Sequence, residues 1–137
     1  MESDLHGLLQ ETVLEELGRE GYEIYVEPPN PPLGRLTWSS YRPDILGVIR
    51  EEIGLSVVLA ECETNPDVRR VKTKTSKIGR TFTMQKRLNE KHLIRLLLVI
   101  PAGALHKVNH RPIRSFWEIW IVNKKGEIIH KIPQYRS

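Results

Sequence analysis

Two apolar runs joined by a short turn constrain the fold of this chain more than any other feature. Residues 44–50 and 55–63 are rich in valine, leucine and isoleucine, and residues 51–54 between them form a turn sequence. Both runs are too apolar for strands with one exposed face, which alternate between polar and apolar residues. The sequence therefore predicts a β-hairpin inside a sheet that is covered on both faces.

The rest of the chain adds helices and strands in an order typical of α/β domains. Apolar residues three and four apart predict helices, and alternating or continuous apolar runs predict strands. In chain order, the predicted elements are a helix over 4–20, a strand over 22–27, the hairpin, a helix over 68–89, a strand over 93–100, and a hairpin of 116–122 with 127–132. Residues 102–114 fit either a short helix or a loop. The predicted architecture is a mixed central sheet flanked by helices, in the order αβββαβ plus a C-terminal β-hairpin.

Length and composition indicate one domain without cross-links. A chain of 137 residues with 39% apolar residues can close one core, so we expect a single domain over residues 1–137. Cys62 is the only cysteine and cannot form an internal disulfide, which favours a reducing, cytoplasmic setting. No apolar run approaches the roughly 20 residues that a membrane helix needs. We therefore expect a cytoplasmic protein with no membrane partner.

Positive charge is concentrated in one segment, residues 69–87. The chain carries 21 Lys and Arg residues against 17 Asp and Glu residues, yet this segment contains no acid. Its members nearest the hairpin are Arg69, Arg70, Lys72, Lys74, Lys77 and Arg80. Such a run can neutralise several phosphates, so we expect it to bind nucleic acid. An ordinary solvated helix face is the alternative interpretation.

Three acidic residues mark one end of the predicted hairpin. Asp44 opens its first strand and Glu61 closes its second, so antiparallel pairing brings the two carboxylates to the same end. Glu63 shares a strand face with Glu61, because side chains two residues apart point the same way, whereas Cys62 points into the opposite layer. Hard cations such as Mg²⁺ take one or two carboxylates together with water and substrate phosphate. The sequence predicts a metal site here; the alternative is a turn aspartate and an exposed acidic pair.

The order of elements and the positions of these acids resemble the PD-(D/E)xK nuclease superfamily, which includes restriction enzymes, archaeal Holliday junction resolvases and Mrr-like nucleases. Pro43-Asp44 lies on the second strand and Glu61-Cys62-Glu63 on the third, and the likeness covers roughly residues 5–100. The resemblance implies a restriction-endonuclease-like three-layer fold. It also implies metal-dependent hydrolysis of phosphodiester bonds in DNA, with Asp44 and Glu61 holding Mg²⁺ or Mn²⁺. Because one such site cuts one strand, a homodimer is expected.

The first helix departs from the resemblance at one position. Gly7-Leu8-Leu9-Gln10 looks like the pattern in which a glutamate helps to bind the metal, and that position is here Gln10. Glutamine is still an oxygen ligand but carries no charge, which implies a lower metal affinity unless Glu11 or Glu16 takes the role. Glu16 falls nearer the apolar face at 3.6 residues per turn. The metal ligands implied by the resemblance are Asp44, Glu61, Glu63 and Gln10.

The second departure is Glu63, which stands where the resemblance implies a lysine. That lysine is thought to activate the attacking water and to stabilise negative charge at the phosphate. Glutamate cannot stabilise that charge, although it can act as a general base, and Lys72, Lys74 or Lys77 from the next helix could supply the missing cation. The predicted catalytic residues are Asp44, Glu61, Glu63 and Lys77. Both departures also fit an inactive nuclease-fold protein that binds nucleic acid or acts as an assembly subunit.

Four aromatic residues have open roles. Trp38 and Tyr41 lie in the loop before the hairpin, where they could stack on bases or fold the loop back onto the core. Trp117 and Trp120 cannot share a face at strand spacing. This spacing predicts that one packs inward while the other covers an exposed patch or a subunit contact. A purely structural or protein-interaction domain is the third interpretation of function.

Overall fold

Within residues 2–29, 41–52, 54–84 and 92–135, which the computed structural model describes, the chain forms three α-helices, one 3-10 helix and six β-strands. In chain order these are α1 (Glu2–Arg19), β1 (Glu23–Val26), β2 (Ile45–Glu51), β3 (Gly54–Cys62), α2 (Val68–Met84), β4 (His92–Pro101), the 3-10 helix (Leu105–Lys107), α3 (Arg111–Arg114), β5 (Glu118–Val122) and β6 (Ile128–Ile132). The predicted order is confirmed, and residues 102–114 contain the 3-10 helix and α3. The part of the second predicted helix after Met84, like Trp38, lies outside the described residues. None of the described helices is long and apolar enough to cross a membrane.

The six strands form one mixed sheet in the order β1-β2-β3-β4-β5-β6, so each strand lies beside its neighbours in sequence. The pairs β3–β4 and β4–β5 are parallel, and the other three pairs are antiparallel. Parallel neighbours need crossover connections, and the segments that contain α2 and α3 supply them. The hairpin predicted from the two apolar runs is β2–β3, with Ile45 opposite Ala60 and Glu51 opposite Gly54. It lies inside the sheet, between β1 and β4.

The sheet separates two hydrophobic cores, and alternate side chains of the inner strands point into one core or the other. The residues of β3 that face α1 are Val58, Ala60 and Cys62, and the helix residues in the same core are Leu9, Val13 and Leu17. The β3 residues on the opposite face are Val57 and Leu59, which share a core with Val71 and Ile78 of α2 and Ile113 of α3. A sheet with helices on both faces confirms the predicted three-layer α/β fold.

Trp117 and Trp120 lie in different cores, and both are fully buried. The prediction that they occupy opposite faces is confirmed, but the prediction that one of them covers an exposed patch is wrong. Its physical reason is the position of β5, which lies between β4 and β6 and has protein on both faces. A tryptophan on either face is therefore part of the interior.

Gly47 of β2 marks a close approach between the sheet and the chain that follows α1. A Cβ atom at this position would lie 2.6 Å from Val58 Cγ1 and 3.1 Å from the ring of Tyr22. Val58 is the cross-strand neighbour of Gly47 in β3, and Tyr22 packs against the core on the α1 side. Because glycine has no side chain, Val58 and Tyr22 can pack closely against the backbone of β2 at Gly47.

Helix α2 contains several threonines, and three of them bond to the helix backbone through their hydroxyl groups. Asp67 precedes the first turn, and its Oδ1 accepts a hydrogen bond from the Arg69 N–H at 2.7 Å. Thr73, Thr75 and Thr81 each donate to the carbonyl four residues earlier, at 2.9, 2.8 and 3.0 Å. The hydroxyl groups of these three threonines are thus satisfied within the helix.

An ion pair connects β4 and β5 on the α1 side of the sheet. Arg95 donates from Nε to Glu118 Oε1 at 2.7 Å and from Nη2 to Glu118 Oε2 at 2.8 Å. Its Nη1 donates to Glu20 Oε2, just after α1, at 3.0 Å. The guanidinium carbon lies 5.6 Å from the ring centroid of Trp120. Arg95 therefore links two strands to the end of the first helix.

A candidate metal and phosphate site at the end of the hairpin

The end of the β2–β3 hairpin brings Asp44 and Glu61 together through reciprocal hydrogen bonds. The backbone N–H of Asp44 donates to Glu61 Oε2 at 2.9 Å, and the backbone N–H of Cys62 donates to Asp44 Oδ2 at 2.8 Å. Each carboxylate is therefore held by the backbone of the opposite chain segment. Glu61 is buried, whereas the side chain of Asp44 is 21% exposed, so the pair spans the boundary between core and solvent.

Lys74 reaches the same place from the second turn of α2. Its Nζ lies 2.7 Å from Glu61 Oε1 and 2.5 Å from Glu63 Oε1. Glu63 is also buried, and Arg70, one turn earlier in α2, lies 3.7 Å from its Oε2. One ammonium group thus bridges the two glutamates that share a strand face.

The sequence left three lysines as sources of the missing cation, and the fold separates them. Lys74 contacts both glutamates, whereas Lys72 is exposed and Lys77 is half-buried. Neither Lys72 nor Lys77 lines the cavity above the acids. At about 100° per residue, position 74 turns toward β3, and position 72 turns toward the other flank of α2.

Burial, together with the charge of Asp44, raises the pKa of Glu61. Burial and the nearby charge of Asp44 raise this pKa to about 7, against the opposing effect of Lys74. For Lys74, burial lowers the pKa, but its interactions with Glu61 and Glu63 outweigh burial and raise the pKa overall. Lys74 therefore stays charged while Glu61 readily takes up a proton.

Tyr41 packs beside the cluster and belongs to the core on the α2 side of the sheet. It is only 6% exposed, and its hydroxyl donates to Glu61 Oε2 at 3.4 Å. Burial and the neighbouring carboxylates raise the Tyr41 pKa well above its ordinary value, so the phenol stays protonated. Of the two roles considered for Tyr41, the structure supports the core residue and not the base-stacking surface.

A cavity of about 360 Å³ opens over the acids. Its lining consists of His6, Asp44, Cys62, Glu63, Thr64, Arg70 and Lys74. His6 comes from α1, and its Nε2 lies 3.7 Å from Asp44 Oδ2. Our sequence reasoning missed His6, although its spacing of three and seven residues from Leu9 and Val13 places it on the inward helix face.

The three helix residues considered as metal ligands lie elsewhere. Gln10 is half-buried, one turn beyond His6, and does not line the cavity. Glu11 is exposed, and Glu16 forms an ion pair with Lys131 of β6 at 3.2 Å. Among the described side chains of α1, His6 is the one that approaches the hairpin acids.

The donor chemistry of the cluster suits a hard divalent cation held by few protein ligands. Across the described ranges, no group of three or more His, Cys, Asp and Glu side chains has a spacing that could hold a metal. Mg²⁺ nevertheless often takes only one or two carboxylates and completes its shell with water and substrate phosphate. Asp44 and Glu61 are two carboxylates that the hairpin brings together, and the Asp44 N–H donates to Glu61 Oε2 at 2.9 Å. The carboxylate oxygens of Asp44 and Glu61 are of the chemical type that magnesium or manganese takes as ligands.

Five of the six basic residues of α2 fall into two groups, and the sixth is the half-buried Lys77. Arg69, Lys72 and Arg80 are exposed on the outer side of the helix, whereas Lys74 and Arg70, which is also exposed, are directed to the acids. A shallow cavity on the solvent side of the helix is lined by Asp67, Val68, Arg69, Lys72, Thr73 and Ser76. The exposed group lies outside the acidic cluster and forms a positive outer face on this helix.

No protein-family model matches the sequence, and no curated protein matches it significantly. Among solved structures, an FdxN element excision controlling factor protein from Anabaena variabilis is similar to this chain. It matches with a TM-score of 0.54 and 10% identity, over 92% of this chain and 98% of that chain. An XisH family protein from Nostoc punctiforme matches with a TM-score of 0.48 and 14% identity, over 93% and 98% of the two chains. The first likeness shows that this chain shares its three-layer α/β fold with a solved protein over nearly its whole length.

Proposed function

We propose that this chain is a metal-dependent nuclease that hydrolyses phosphodiester bonds in DNA. In this proposal a lysine of α2 supplies the ammonium group that the resemblance implies beside the metal. The observation that carries the proposal is the position of Lys74. Its ammonium group lies against Glu61 and Glu63 at the end of the hairpin where Asp44 also lies. An acid pair with a nearby lysine is the combination that the PD-(D/E)xK resemblance implies, although the lysine here comes from another element.

The proposed roles follow from the contacts. Asp44 and Glu61 would hold the Mg²⁺ or Mn²⁺ ion, which when bound supplies Lewis acidity and lowers the pKa of water. Lys74 donates hydrogen bonds to a phosphate oxygen and stabilises the charge that develops there. Glu63 positions the Lys74 ammonium, and it can also accept a proton from the attacking water. The contacts favour Lys74 over Lys77, which lies outside the cavity lining.

The proposed substrate is DNA because of the positive outer face of α2. Arg69, Lys72 and Arg80 are exposed on the helix that also carries Lys74, so they can neutralise phosphates on either side of the bond that is cut. A homodimer would place one such site on each strand of a DNA duplex. Its test is the molecular mass in solution, with and without DNA.

A cleavage assay tests the enzyme proposal. Plasmid DNA is incubated with Mg²⁺ or Mn²⁺ and with the wild type, Asp44→Ala, Glu61→Ala or Lys74→Ala. Each substitution removes a metal ligand or the charge that stabilises the transition state, so we expect each rate to fall by about 100-fold or more. Arg50→Ala is the matched control, since it removes an exposed cation at the opposite end of β2 and should keep the wild-type rate. Cleavage unchanged in all three site variants would contradict the proposal.

The second candidate is a nuclease-fold protein that binds nucleic acid without cutting it. Lys74 favours this candidate in one respect, because its ammonium already neutralises part of the acidic cluster without a metal. In that case DNA binding should be independent of Mg²⁺ and should weaken steeply with salt, while no plasmid is cut. A chain that binds no DNA at low salt would instead favour the structural or protein-interaction domain.

A further inference from the structure

An aromatic residue that the proposed site does not use lies beside the flank of α2 opposite the acidic cluster. Phe116 lies between α3 and β5, and 52% of it is exposed. It lines a cleft of about 340 Å³ together with Lys72, Thr75, Ser76 and Pro112. One exposed aromatic is ordinary in a folded protein. Here the ring forms one wall of a cleft whose other wall is a basic helix.

The base of this cleft is held in place by buried neighbours. Trp117 is fully buried, and its Nε1 donates to Thr75 Oγ1 at 2.8 Å. The same hydroxyl donates to the Val71 carbonyl at 2.8 Å, so it is used twice inside the protein. The backbone N–H of Phe116 donates to the Ile113 carbonyl at 3.1 Å. The cleft is therefore a preformed apolar surface with few polar groups left for a ligand.

The positive charge around the cleft favours a ligand that carries a negative group. Among the described residues that line the cleft, Lys72 is the charged one and none is acidic. Arg111 is exposed on α3, next to Pro112. A planar apolar wall beside a positive charge suits a ligand that combines a flat ring with a negative group. An unpaired nucleotide has both.

We propose that this cleft binds an unpaired nucleobase of a DNA strand, stacked on Phe116, with the adjoining phosphate at Lys72. The inference rests on the proposed function in that it takes DNA as the partner. It goes beyond that function because it names the substrate class: DNA with a single-stranded segment beside the bond that is cut.

The position of α2 connects the cleft with the acidic cluster. Lys74 and Arg70 lie on one flank of this helix, and Lys72 and Thr75 lie on the other. The cavity on the solvent side of the helix shares Lys72 and Ser76 with the cleft. An α-helix with its side chains is about 10–12 Å across, a distance that a short stretch of extended strand can cross. A strand that passes over the positive outer face of α2 can therefore contact both sites.

Binding of single-stranded and duplex oligonucleotides of the same sequence tests the inference. Fluorescence anisotropy is measured without divalent metal for the wild type, Phe116→Ala, Phe116→Leu and Phe116→Tyr. We expect Phe116→Ala to weaken single-strand binding by about 5- to 100-fold and to leave duplex binding unchanged. Phe116→Tyr keeps the ring and should bind as the wild type does, whereas Phe116→Leu keeps only the apolar bulk and should bind weakly.

Two controls separate stacking from other effects. Ile129→Ala removes an exposed apolar side chain from β6, 44% exposed, and should not change binding. A strand whose bases are replaced by abasic sites should bind the wild type as weakly as the normal strand binds Phe116→Ala. Equal affinity of Phe116→Ala and wild type for the normal strand would overturn the inference.

The outcomes for the two proposals are distinguishable. If plasmid is cut but Phe116→Ala binds single strands normally, only the cleft inference fails. If nothing is cut but single-strand binding depends on the ring of Phe116, only the enzyme proposal fails. A DNA-binding defect equal for single strands and duplexes in Phe116→Ala would show a general change in the helix surface, and it too would overturn the inference.

Discussion

At the scale of single residues, Gly47 allows a sharp test of packing. A side chain at this position would meet Val58 Cγ1 at 2.6 Å and the Tyr22 ring at 3.1 Å, so Gly47→Ala should destabilise the fold by about 1–3 kcal/mol. Gly79 is the matched control, because it lies inside α2 and a Cβ atom added there would have no neighbour within 4 Å. Gly79→Ala should stabilise the protein by up to about 1 kcal/mol. Urea denaturation measures both, and equal stability of the two variants would contradict this account.

Among the residues of the candidate site, the sequence was informative about those on the hairpin and less so about those on the helices. The antiparallel pairing of the two apolar runs was enough to place Asp44 and Glu61 at one end. The choice among three lysines could not be made, because the face of α2 that meets β3 depends on how Val71 and Ile78 pack in the core. The contact of His6 with Asp44 depends in the same way on the packing of α1.

At the scale of elements, the positive outer face of α2 makes a prediction about DNA affinity. Arg69→Ala, Lys72→Ala and Arg80→Ala each remove one exposed charge, so each should lower the slope of log K against log salt by about 1. Binding is measured by titration at several salt concentrations. Arg50→Ala removes the same charge away from α2 and should keep the wild-type slope. Unchanged slopes in all three helix variants would show that this face does not contact phosphate.

The elements themselves were largely predictable from the sequence. The order of elements along the chain and the three-layer fold follow from long apolar runs, whose burial requires cover on both faces. Two features were harder to predict. The threonines of α2 lower helix propensity, but their bonds to the backbone satisfy their hydroxyl groups. The short helices within residues 102–114 have too few residues to show a period.

At the scale of the whole molecule, the ion pair of Arg95 and Glu118 makes the fold sensitive to acid. Burial raises the Glu118 pKa, but the hydrogen bonds and charge of Arg95 outweigh burial and lower it below the ordinary value of 4.5. The unfolded chain therefore binds this proton first, so the stabilisation is complete above pH 4.5 and is lost as the pH falls through the folded-state value.

We therefore expect Glu118→Gln to lower the free energy of unfolding at pH 7 by about 1–3 kcal/mol and to make its decline below pH 4.5 shallower. Chemical denaturation at several pH values measures both effects. Glu15→Gln is the control, because it alters an exposed pair with Arg19 and should keep the wild-type pH dependence. A Glu118→Gln protein with the same acid sensitivity as the wild type would contradict this assignment.

The strand order also bears on how the protein is made. Since every described strand pairs with its neighbours in sequence, the sheet can grow one strand at a time as the chain leaves the ribosome. Asp44 directly precedes β2, Glu61 lies in β3 and Lys74 lies in α2. All three are synthesised before β5 and β6. The residues of the acidic cluster are therefore all synthesised before the last strands of the sheet. The hairpin and the helix that carry the candidate site are therefore synthesised first, and the strands that complete the core follow.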